Sequence, residues 1–347
     1  MKKIKCVDLF CGAGGLTHGF ALEGIDVVAG IDLDPACRYP YEKNNKAKFV
    51  ETDVAKVSKS DLLNLFGNDS MTVLAGCAPC QPFSTYAQRY GTNKSDGKWG
   101  LLYEFARLAK STSPDFITME NVPTVAKHSV FNDFVKSLKK LGYFVWSDVV
   151  DSSKYGVPQA RRRMVLLASK HAPIELISPT TINPITVKQA IGRLRPLSAG
   201  ESAPRDKLHV SATLSAINYE RILHSSPGGT WRDWPKKLIN PCHKAASGRT
   251  FSGVYGRMEW NKPAPTMTTQ CFGFGNGRFG HPEQNRAITL REAAILQSFP
   301  KSYAFIDKDS EVNFKALGRL IGNAVPVNLG RAIAISLKRH ANALILT

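Results

Sequence analysis

The sequence predicts an α/β protein, with a doubly wound, mostly parallel sheet and a smaller, loop-rich second domain. Short apolar or β-branched runs alternate with helical patterns through the first half of the chain. After residue 168 this alternation gives way to Pro- and Gly-rich segments at 178–184, 194–205 and 225–237. Helical patterns return near the C-terminus. We therefore expect one domain from residues 1–180 plus 314–347, and a second domain with a hinge from 181–313.

Six runs in the first half have the length and composition of strands, namely residues 5–10, 27–31, 71–75, 116–119, 144–150 and 164–168. The clearest helix between them covers residues 131–141, where Phe131, Phe134 and Leu138 share one face. Gly142 supplies its C-terminal stop. In a sheet of this kind, ligands bind at the carboxyl ends of the strands.

Two helices are expected near the C-terminus. A capping box, Thr289 with Glu292, opens the first, which runs through Leu296. The second carries an apolar face fit to pack on the first domain, formed by Leu329, Ile333 and Leu337.

The formal charge of +18 indicates a polyanionic partner. Residues 1–173 carry a net charge of +6, and residues 174–347 carry +12. A basic surface attracts nucleic acid through counterion release, although a solvated basic face without a partner has the same composition. The second half is therefore the candidate nucleic-acid surface.

Cysteine use and the N-terminus predict an intracellular, cytoplasmic protein. The seven cysteines are odd in number and irregularly spaced, which is typical of reduced thiols. The sequence contains neither a signal-peptide apolar run nor the roughly 18 uninterrupted apolar residues of a membrane helix. We expect no membrane partner.

A glycine loop follows the first predicted strand. Gly12, Gly14 and Gly15 allow a tight turn and close approach of a ligand, but the loop lacks the Lys-Ser/Thr pair of a phosphate site. Asp32, after the second strand, can accept both hydroxyls of a ribose, and Asp53, after the next run, can meet the amino edge of an adenine. A purely structural turn has the same pattern. Adenosine recognition without phosphates, next to a nucleophile, suggests S-adenosylmethionine.

The pair Cys77 and Cys80 has three interpretations. A zinc site needs two more ligands with matching spacing, but Cys242 and Cys271 lie 29 residues apart. A thioredoxin-like redox pair needs a helix to lower the thiol pKa, but Pro82 and its neighbours predict a loop. The third interpretation is a single nucleophile at the end of the fourth strand.

Six short motifs occur in order along the chain: DLFCGAGG at 8–15, PCQ at 79–81, ENV at 120–122, QARRR at 159–163, REAAILQSFP at 291–300 and GNAVP at 322–326. This series resembles the ordered motifs of the C5-cytosine DNA methyltransferase family and covers nearly the whole chain. The resemblance implies a Rossmann-like fold that uses S-adenosylmethionine without a metal. It also implies a DNA-recognition domain and methyl transfer to carbon 5 of a cytosine extruded from duplex DNA.

The resemblance also implies roles for individual residues. Cys80 would add to carbon 6 of the cytosine and thereby make carbon 5 nucleophilic. Glu120 would be the acid at N3 and would have to arrive protonated. Arg161 and Arg163, alternate residues of an extended run, would hold the carbonyl oxygen at C2. Cys77, which the family pattern does not require, is assigned to packing.

The remaining candidate residues fall into two sets. The cofactor is expected to be framed by Phe10, Gly12, Gly14, Gly15, Asp32, Asp53, Pro79 and Asn323. The candidate DNA contacts are Gln81, Ser84, Arg162, Arg232, Lys244, Arg249 and Arg257. In the second domain these cations are interleaved with Trp231, Trp234, His243 and Phe251, the mixture expected of a nucleic-acid surface.

The resemblance further implies a bacterial or phage protein that acts on double-stranded DNA as a monomer, often beside a cognate restriction endonuclease. Two alternatives remain open at this point. A tRNA-directed relative could use the same catalytic residues, and a non-enzymatic nucleic-acid-binding module would share the basic charge but have no use for the cysteine.

Overall fold

Seven strands form one sheet in the computed structural model, which describes residues 3–79, 100–245 and 248–346. The strands are β1 (Lys3–Leu9), β2 (Asp26–Asp32), β3 (Lys48–Glu51), β4 (Ser70–Gly76), β5 (Phe116–Asn121), β6 (Phe144–Asp151) and β7 (Arg162–Ser169). Their order is β3-β2-β1-β4-β5-β7-β6. β7 runs antiparallel to both neighbours, while the paired strands from β3 to β5 are parallel. The predicted α/β fold class is therefore confirmed.

Helices of the first half connect the strands: α1 (Gly15–Leu22), α2 (Arg38–Asn44), α3 (Lys59–Phe66), α4 (Leu101–Thr112) and α5 (Ser129–Lys140). α5 matches the predicted helix, buries Phe131, Phe134 and Leu138, and ends before Gly142, whose φ is +85°. Left-handed backbone of this kind favours glycine at a helix end. The helices cover apolar strands such as β5, all of whose residues are buried.

Between residues 181 and 324, the described part of the chain forms only short elements. A hairpin joins β8 (Ser202–Ala203) to β9 (Asp206–Val210). The helices are α6 (Val187–Ile191), α7 (Ala216–Leu223), α8 (Pro241–Lys244), α9 (Leu290–Leu296) and α10 (Phe314–Asn323). Both hydrogen bonds of the predicted capping box, Thr289 with Glu292, are present at the start of α9. A separate core packs there, formed by Ile222, Trp231, Trp234, Leu238, Phe274 and Ala287.

The last helix, α11 (Val327–Leu346), packs against α1. A Cβ added at Gly19 of α1 would lie 2.5 Å from the carbonyl oxygen of Val327, so only glycine permits this approach. Leu329, Ile333 and Leu337 are completely buried, as the sequence predicts. The segment Phe314–Ile345 is long and apolar enough to cross a membrane, but 78% of its apolar stretch is buried inside the protein. That burial is typical of a core helix.

The chain divides into two compact units. The first contains Met1–Tyr155, Arg162–Thr180 and Val325–Thr347, and the second contains Gly156–Arg161 and Thr181–Ala324. Helix α10 thus belongs to the second unit, whereas the sequence analysis placed residues 314–323 with the first domain. The reason is close packing within the second unit, because a Cβ added at Gly322 would lie 2.3 Å from the carbonyl carbon of Thr268.

Candidate active site

The glycine loop lies at the carboxyl end of β1, in the first unit. Phe10, Gly12 and Gly14 have φ values of +57°, +53° and +85°, and α1 begins directly after them. The amide of Gly12 donates to Oδ2 of Asp32 at 2.9 Å. The structure therefore brings together two of the residues predicted to frame a cofactor.

Asp32 is the last residue of β2, and Asp53 follows the adjacent parallel strand β3 at the same edge of the sheet. Each carboxylate is held by the backbone, since Oδ1 of Asp32 accepts from the amide of Asp34 and Oδ1 of Asp53 accepts from the amide of Ala55. Burial raises the pKa of Asp32, and the amide donors partly offset that effect. Both carboxylates retain lone pairs for a ligand.

Leu33 is a residue at this edge that the sequence analysis missed. Its side chain is 67% exposed, although it is large and apolar and lies directly between Asp32 and Asp34. An exposed leucine beside a candidate ribose-binding carboxylate provides an apolar surface for a flat base. The alternation of acid and leucine in IDLD was the available signal.

A buried polar network lies beneath the glycine loop. Oγ1 of Thr17 donates to Oδ2 of Asp8 at 2.7 Å and lies 3.0 Å from the hydroxyl of Tyr41. All three side chains are buried. Burial, with a smaller effect from the charge of Asp32, raises the pKa of Asp8 to about 7. The network links β1, α1 and α2, and so supports the loop from below.

Glu120 lies near the end of β5, where the sequence analysis placed it, and is 3% exposed. Its Oε1 is 2.9 Å from Nε of Arg163, and its Oε2 accepts a hydrogen bond of 3.0 Å from Sγ of Cys77. Because β7 runs antiparallel to β5, its first residues lie beside the last residues of β5. That topology is what brings Arg163 to Glu120.

The arginine run alternates as expected, but its members have different partners. Arg162 is exposed, whereas Arg161 and Arg163 are not. Arg161 belongs to the second unit and donates to backbone carbonyls, from Nη1 to Met267 at 3.0 Å and from Nη2 to Gly322 at 3.3 Å. The structure therefore brings Arg163 to Glu120 by a contact within the first unit.

Two buried glutamines that the sequence analysis did not single out organise the surroundings of Arg161. Nε2 of Gln159 donates to Oε1 of Gln297 at 2.9 Å, while Oε1 of Gln159 accepts from the amide of Met267. Gln297 in turn donates to the carbonyl of Ile321 at 2.8 Å. These bonds hold the end of α10, where Asn323 is exposed. Both glutamines lie within the quoted motifs, but their type alone does not indicate that they pair.

The loop after β4 leads towards the candidate nucleophile. The amide of Cys77 donates to the carbonyl of Leu9, and the carbonyl of Ala78 accepts from Nδ2 of Asn121 at 3.0 Å. Pro79 follows and is partly exposed. Cys80, Gln81 and Ser84 lie outside the described residues.

Three of the predicted DNA contacts in the second unit, Arg232, Lys244 and Arg249, are exposed. Nη2 of Arg232 donates to the carbonyl of Arg249 at 2.6 Å, and its guanidinium lies 5.0 Å from the centre of the Trp231 ring. Lys236 and Lys237 are exposed in the same segment. We use the name basic face for these exposed cations, Arg232, Lys236, Lys237, Lys244 and Arg249.

Arg257 does not belong to that face, which corrects the sequence analysis. Its side chain is buried, and its five N–H donors meet the carbonyls of Ser225, His281, Gln284 and Ile222 and the side chain of Asn285. A guanidinium whose donors are all taken inside the protein has none left for DNA.

The aromatic residues of this region also differ from expectation. Trp231, Trp234 and His243 are buried, and His243 stacks on Trp231 with ring centroids 4.4 Å apart. Phe251 is 39% exposed. Most of the interleaved aromatics therefore form the core of the second unit instead of a surface on which bases stack.

Among the described cysteines, Cys6, Cys11, Cys242 and Cys271 are free thiols. Within residues 3–79, 100–245 and 248–346, no group of three or more His, Cys, Asp or Glu side chains is placed to hold a metal ion. Among the described residues, the carboxyl edge of the sheet carries two backbone-held aspartates, Asp32 and Asp53, and a cluster of Glu120, Arg163 and Cys77.

Comparison with known proteins identifies the family of this chain. Residues 4–339 match the family described as C-5 cytosine-specific DNA methylase. The chain belongs to that family. It is a DNA (cytosine-5)-methyltransferase, and the motif resemblance is confirmed.

Individual relatives match over nearly the whole chain. The Type II methylase M.HgiDII of Herpetosiphon aurantiacus is 52% identical over 343 residues, which cover 97% of this chain and 96% of the relative. The Type II methyltransferase M1.HphI of Haemophilus parahaemolyticus is 32% identical, with 97% and 87% covered. A solved structure described as a prophage-encoded DNA modification methyltransferase of E. coli has a TM-score of 0.75 at 24% identity, with 98% and 100% covered. That likeness shows the shared fold.

Proposed function

We propose that this methyltransferase transfers a methyl group from S-adenosylmethionine to carbon 5 of a cytosine flipped out of a specific duplex DNA site. The reaction proceeds through a covalent bond between Cys80 and carbon 6. The observation that carries the proposal is the buried contact of Glu120 with Arg163 and Cys77. Cys77 precedes Cys80 by three residues in the sequence. Family membership gives the reaction class, and the cluster supports our proposal that the reaction takes place there.

The carboxyl edge of β1 to β3 fits S-adenosylmethionine. Asp32 would accept from the ribose hydroxyls, Asp53 would meet the adenine amino group, and Leu33 would cover the base. The glycine loop would approach the ligand with its backbone, and the cofactor role of Asn323 stays a prediction from the sequence. Bound there, S-adenosylmethionine supplies an electrophilic methyl group on its sulfonium.

The chain's own residues carry out the nucleophilic addition and the proton transfer. The Cys80 thiolate adds to carbon 6, and the electron pair of the 5,6 double bond moves through the ring towards N3, where Glu120 supplies a proton. Carbon 5 becomes nucleophilic and takes the methyl group, whose bond to the sulfonium sulfur breaks and leaves its electron pair on that sulfur, and the N3 proton returns to Glu120. Removal of the carbon 5 proton by a base then expels the Cys80 thiolate from carbon 6 and restores the 5,6 double bond.

Arg163 has a clear task in this scheme. Its guanidinium lies against Oε1 of Glu120 and fixes the position of that carboxyl at the end of β5. It also places positive charge where the carbonyl oxygen at C2 of the ring gains electron density, which favours addition of the thiolate. Arg161 holds the chain at residues 322–324 through backbone carbonyls.

The basic face is the proposed DNA contact. A stacked base is out of reach of any thiol, so the enzyme must extrude the target nucleotide and grip the duplex on both sides of it. Exposed Arg and Lys side chains contribute affinity by neutralising phosphates and releasing counterions. The exposed Arg162 of the first unit, together with Gln81 and Ser84, is proposed to contact DNA near the pocket.

The relatives named as Type II enzymes support a place in a restriction-modification system. We propose that the protein works in the bacterial cytoplasm as a monomer and protects DNA from an endonuclease of the same specificity. That endonuclease is a functional partner and needs no physical contact with this chain.

Methyl transfer from labelled S-adenosylmethionine tests the proposal. The protein is incubated with mixed-sequence duplex DNA or with tRNA, and the label is located by nucleoside digestion. The proposal expects 5-methylcytosine in duplex DNA only, and bisulfite sequencing of the product then gives the recognition site. Label confined to tRNA would overturn the DNA substrate, and no transfer to any duplex would leave only a binding protein.

A further inference from the structure

We infer that Cys77 is a positioning residue that holds the carboxyl group of Glu120 in its working orientation. The inference rests on the proposed function, because it assigns a task relative to the acid of that reaction. Its basis is the 3.0 Å hydrogen bond from Sγ of Cys77 to Oε2 of Glu120. The sequence alone had assigned this cysteine to packing.

The two oxygens of Glu120 have different partners. Oε1 lies 2.9 Å from Nε of Arg163, and Oε2 accepts from the Cys77 thiol. A glutamate side chain has three rotatable bonds, and its last torsion is broad, so a single contact would leave the carboxyl plane free to turn. An ion pair at Oε1 and a hydrogen bond at Oε2 restrain that plane, and a restrained plane favours proton donation to one ring nitrogen.

The backbone in turn fixes the position of the thiol. β4 ends at Gly76, and the next amide, that of Cys77, donates to the carbonyl of Leu9 on the neighbouring strand. A Cβ added at Gly76 would lie 2.9 Å from the ring of Phe105, so this strand end is closely packed. The sulfur therefore reaches Glu120 from a rigid support.

A second bond joins the same two strand ends. Nδ2 of Asn121 donates to the carbonyl of Ala78 at 3.0 Å, and Oδ1 of Asn121 accepts from the amide of Val122. Asn121 is fully buried. Consecutive residues of β5 are thus tied to consecutive residues of the loop that leads to Cys80. The hydrogen bond from Cys77 is one of these two contacts, and it is the one made to Glu120, the proposed acid.

The distinguishing prediction is that the hydrogen-bond donor at position 77 matters more than the bulk of the side chain. Cys77→Ala removes the donor and should lower kcat by about three- to tenfold, the range for losing one weak donor to a charged acceptor. KM for S-adenosylmethionine and the Tm should stay near those of the parent. Cys77→Ser restores a donor and should return kcat to within about twofold of the parent.

Two comparisons show whether the effect passes through Glu120. Glu120→Asp withdraws the carboxylate by one methylene, so Cys77→Ala should add less than a twofold loss in that background, by the logic of a double-mutant cycle. Cys6→Ala removes a buried thiol from the same sheet, away from its carboxyl edge, and should leave kcat unchanged.

Single-turnover methyl transfer to duplex DNA is the measurement for every variant. Equal rates for the parent and Cys77→Ala would overturn this inference alone, as would an equal loss in the parent and Glu120→Asp backgrounds, or a failure of Cys77→Ser to recover. If the parent transfers no methyl group to any duplex, the proposed function fails and this inference fails with it.

Discussion

The two ends of the sheet's carboxyl edge are held together by different kinds of contact. At the cofactor end, backbone amides hold the carboxylates: Gly12 and Asp34 donate to Asp32. At the acid end, side chains hold Glu120, and its partners Cys77 and Arg163 lie 43 residues away in either direction along the chain. The cofactor end thus depends mainly on backbone amide donors, whereas the acid end depends on side chains that the strand order brings together.

The two kinds of support suit the different roles proposed for the two ends. A ribose is bound in its ground state, so a carboxylate oriented by nearby amides is sufficient. A proton must be delivered to one ring atom at one stage of the reaction, and that demands a carboxyl group fixed at both oxygens. Substitutions at the two ends should therefore affect different kinetic constants.

The largest effect is expected at the acid end. Glu120→Gln keeps the size of the side chain but removes the transferable proton, so kcat should fall by about 10²- to 10⁴-fold, the usual contribution of general acid catalysis. The dissociation constant for S-adenosylmethionine should be unchanged. Single-turnover transfer and equilibrium binding measure the two quantities.

Glu175→Gln is the matched control, because Glu175 is exposed in the same unit. It should behave as the parent does in both assays. A kcat for Glu120→Gln within threefold of the parent would remove the acid role, and a loss of cofactor affinity would show that the two ends are not separate.

An intermediate effect is expected at the cofactor end. Asp32→Ala removes a charged acceptor and should weaken S-adenosylmethionine binding by about 10- to 100-fold, the range for a hydrogen bond to a charged group. Transfer at saturating cofactor should fall much less. Asp133→Asn, an exposed carboxylate on α5, serves as the control in a calorimetric titration. Unchanged affinity in Asp32→Ala would contradict the ribose assignment.

The smallest effect concerns stability beneath the glycine loop. Burial raises the folded-state pKa of Asp8 to about 7, above its ordinary value, so the folded state binds a proton that the unfolded state has released. The contribution of Asp8 to stability is therefore present at low pH and is lost as pH rises towards 7 and beyond.

Asp8→Asn cannot titrate, so it should become more stable relative to the parent as pH rises. We expect the difference in unfolding free energy to change by about 1–3 kcal/mol between pH 5 and pH 8. Urea unfolding at the two pH values measures this change. A constant difference would show that Asp8 does not titrate in this range.

The same contrast explains what the sequence could predict. The strands, helix 131–141 and the glycine loop depend on short-range patterns, and the structure has them at the predicted places in the chain. The cofactor role of Asp32 stays a prediction. The buried role of Arg257 was not predicted, because charge and spacing do not reveal whether a guanidinium meets solvent or backbone carbonyls. The Cys77 contact was missed because it joins two strand ends that only the folded sheet brings together.

Covalent trapping with 5-fluorocytosine tests the central claim, that Cys80 is the nucleophile. Fluorine at carbon 5 cannot leave as a proton does, so the bond between sulfur and carbon 6 persists after methyl transfer. In mixed-sequence duplex DNA substituted with 5-fluorocytosine, we expect the parent and Cys77→Ser to form a protein–DNA species that survives denaturation, and Cys80→Ser to form none. Trapping by Cys80→Ser at the level of the parent would contradict the account.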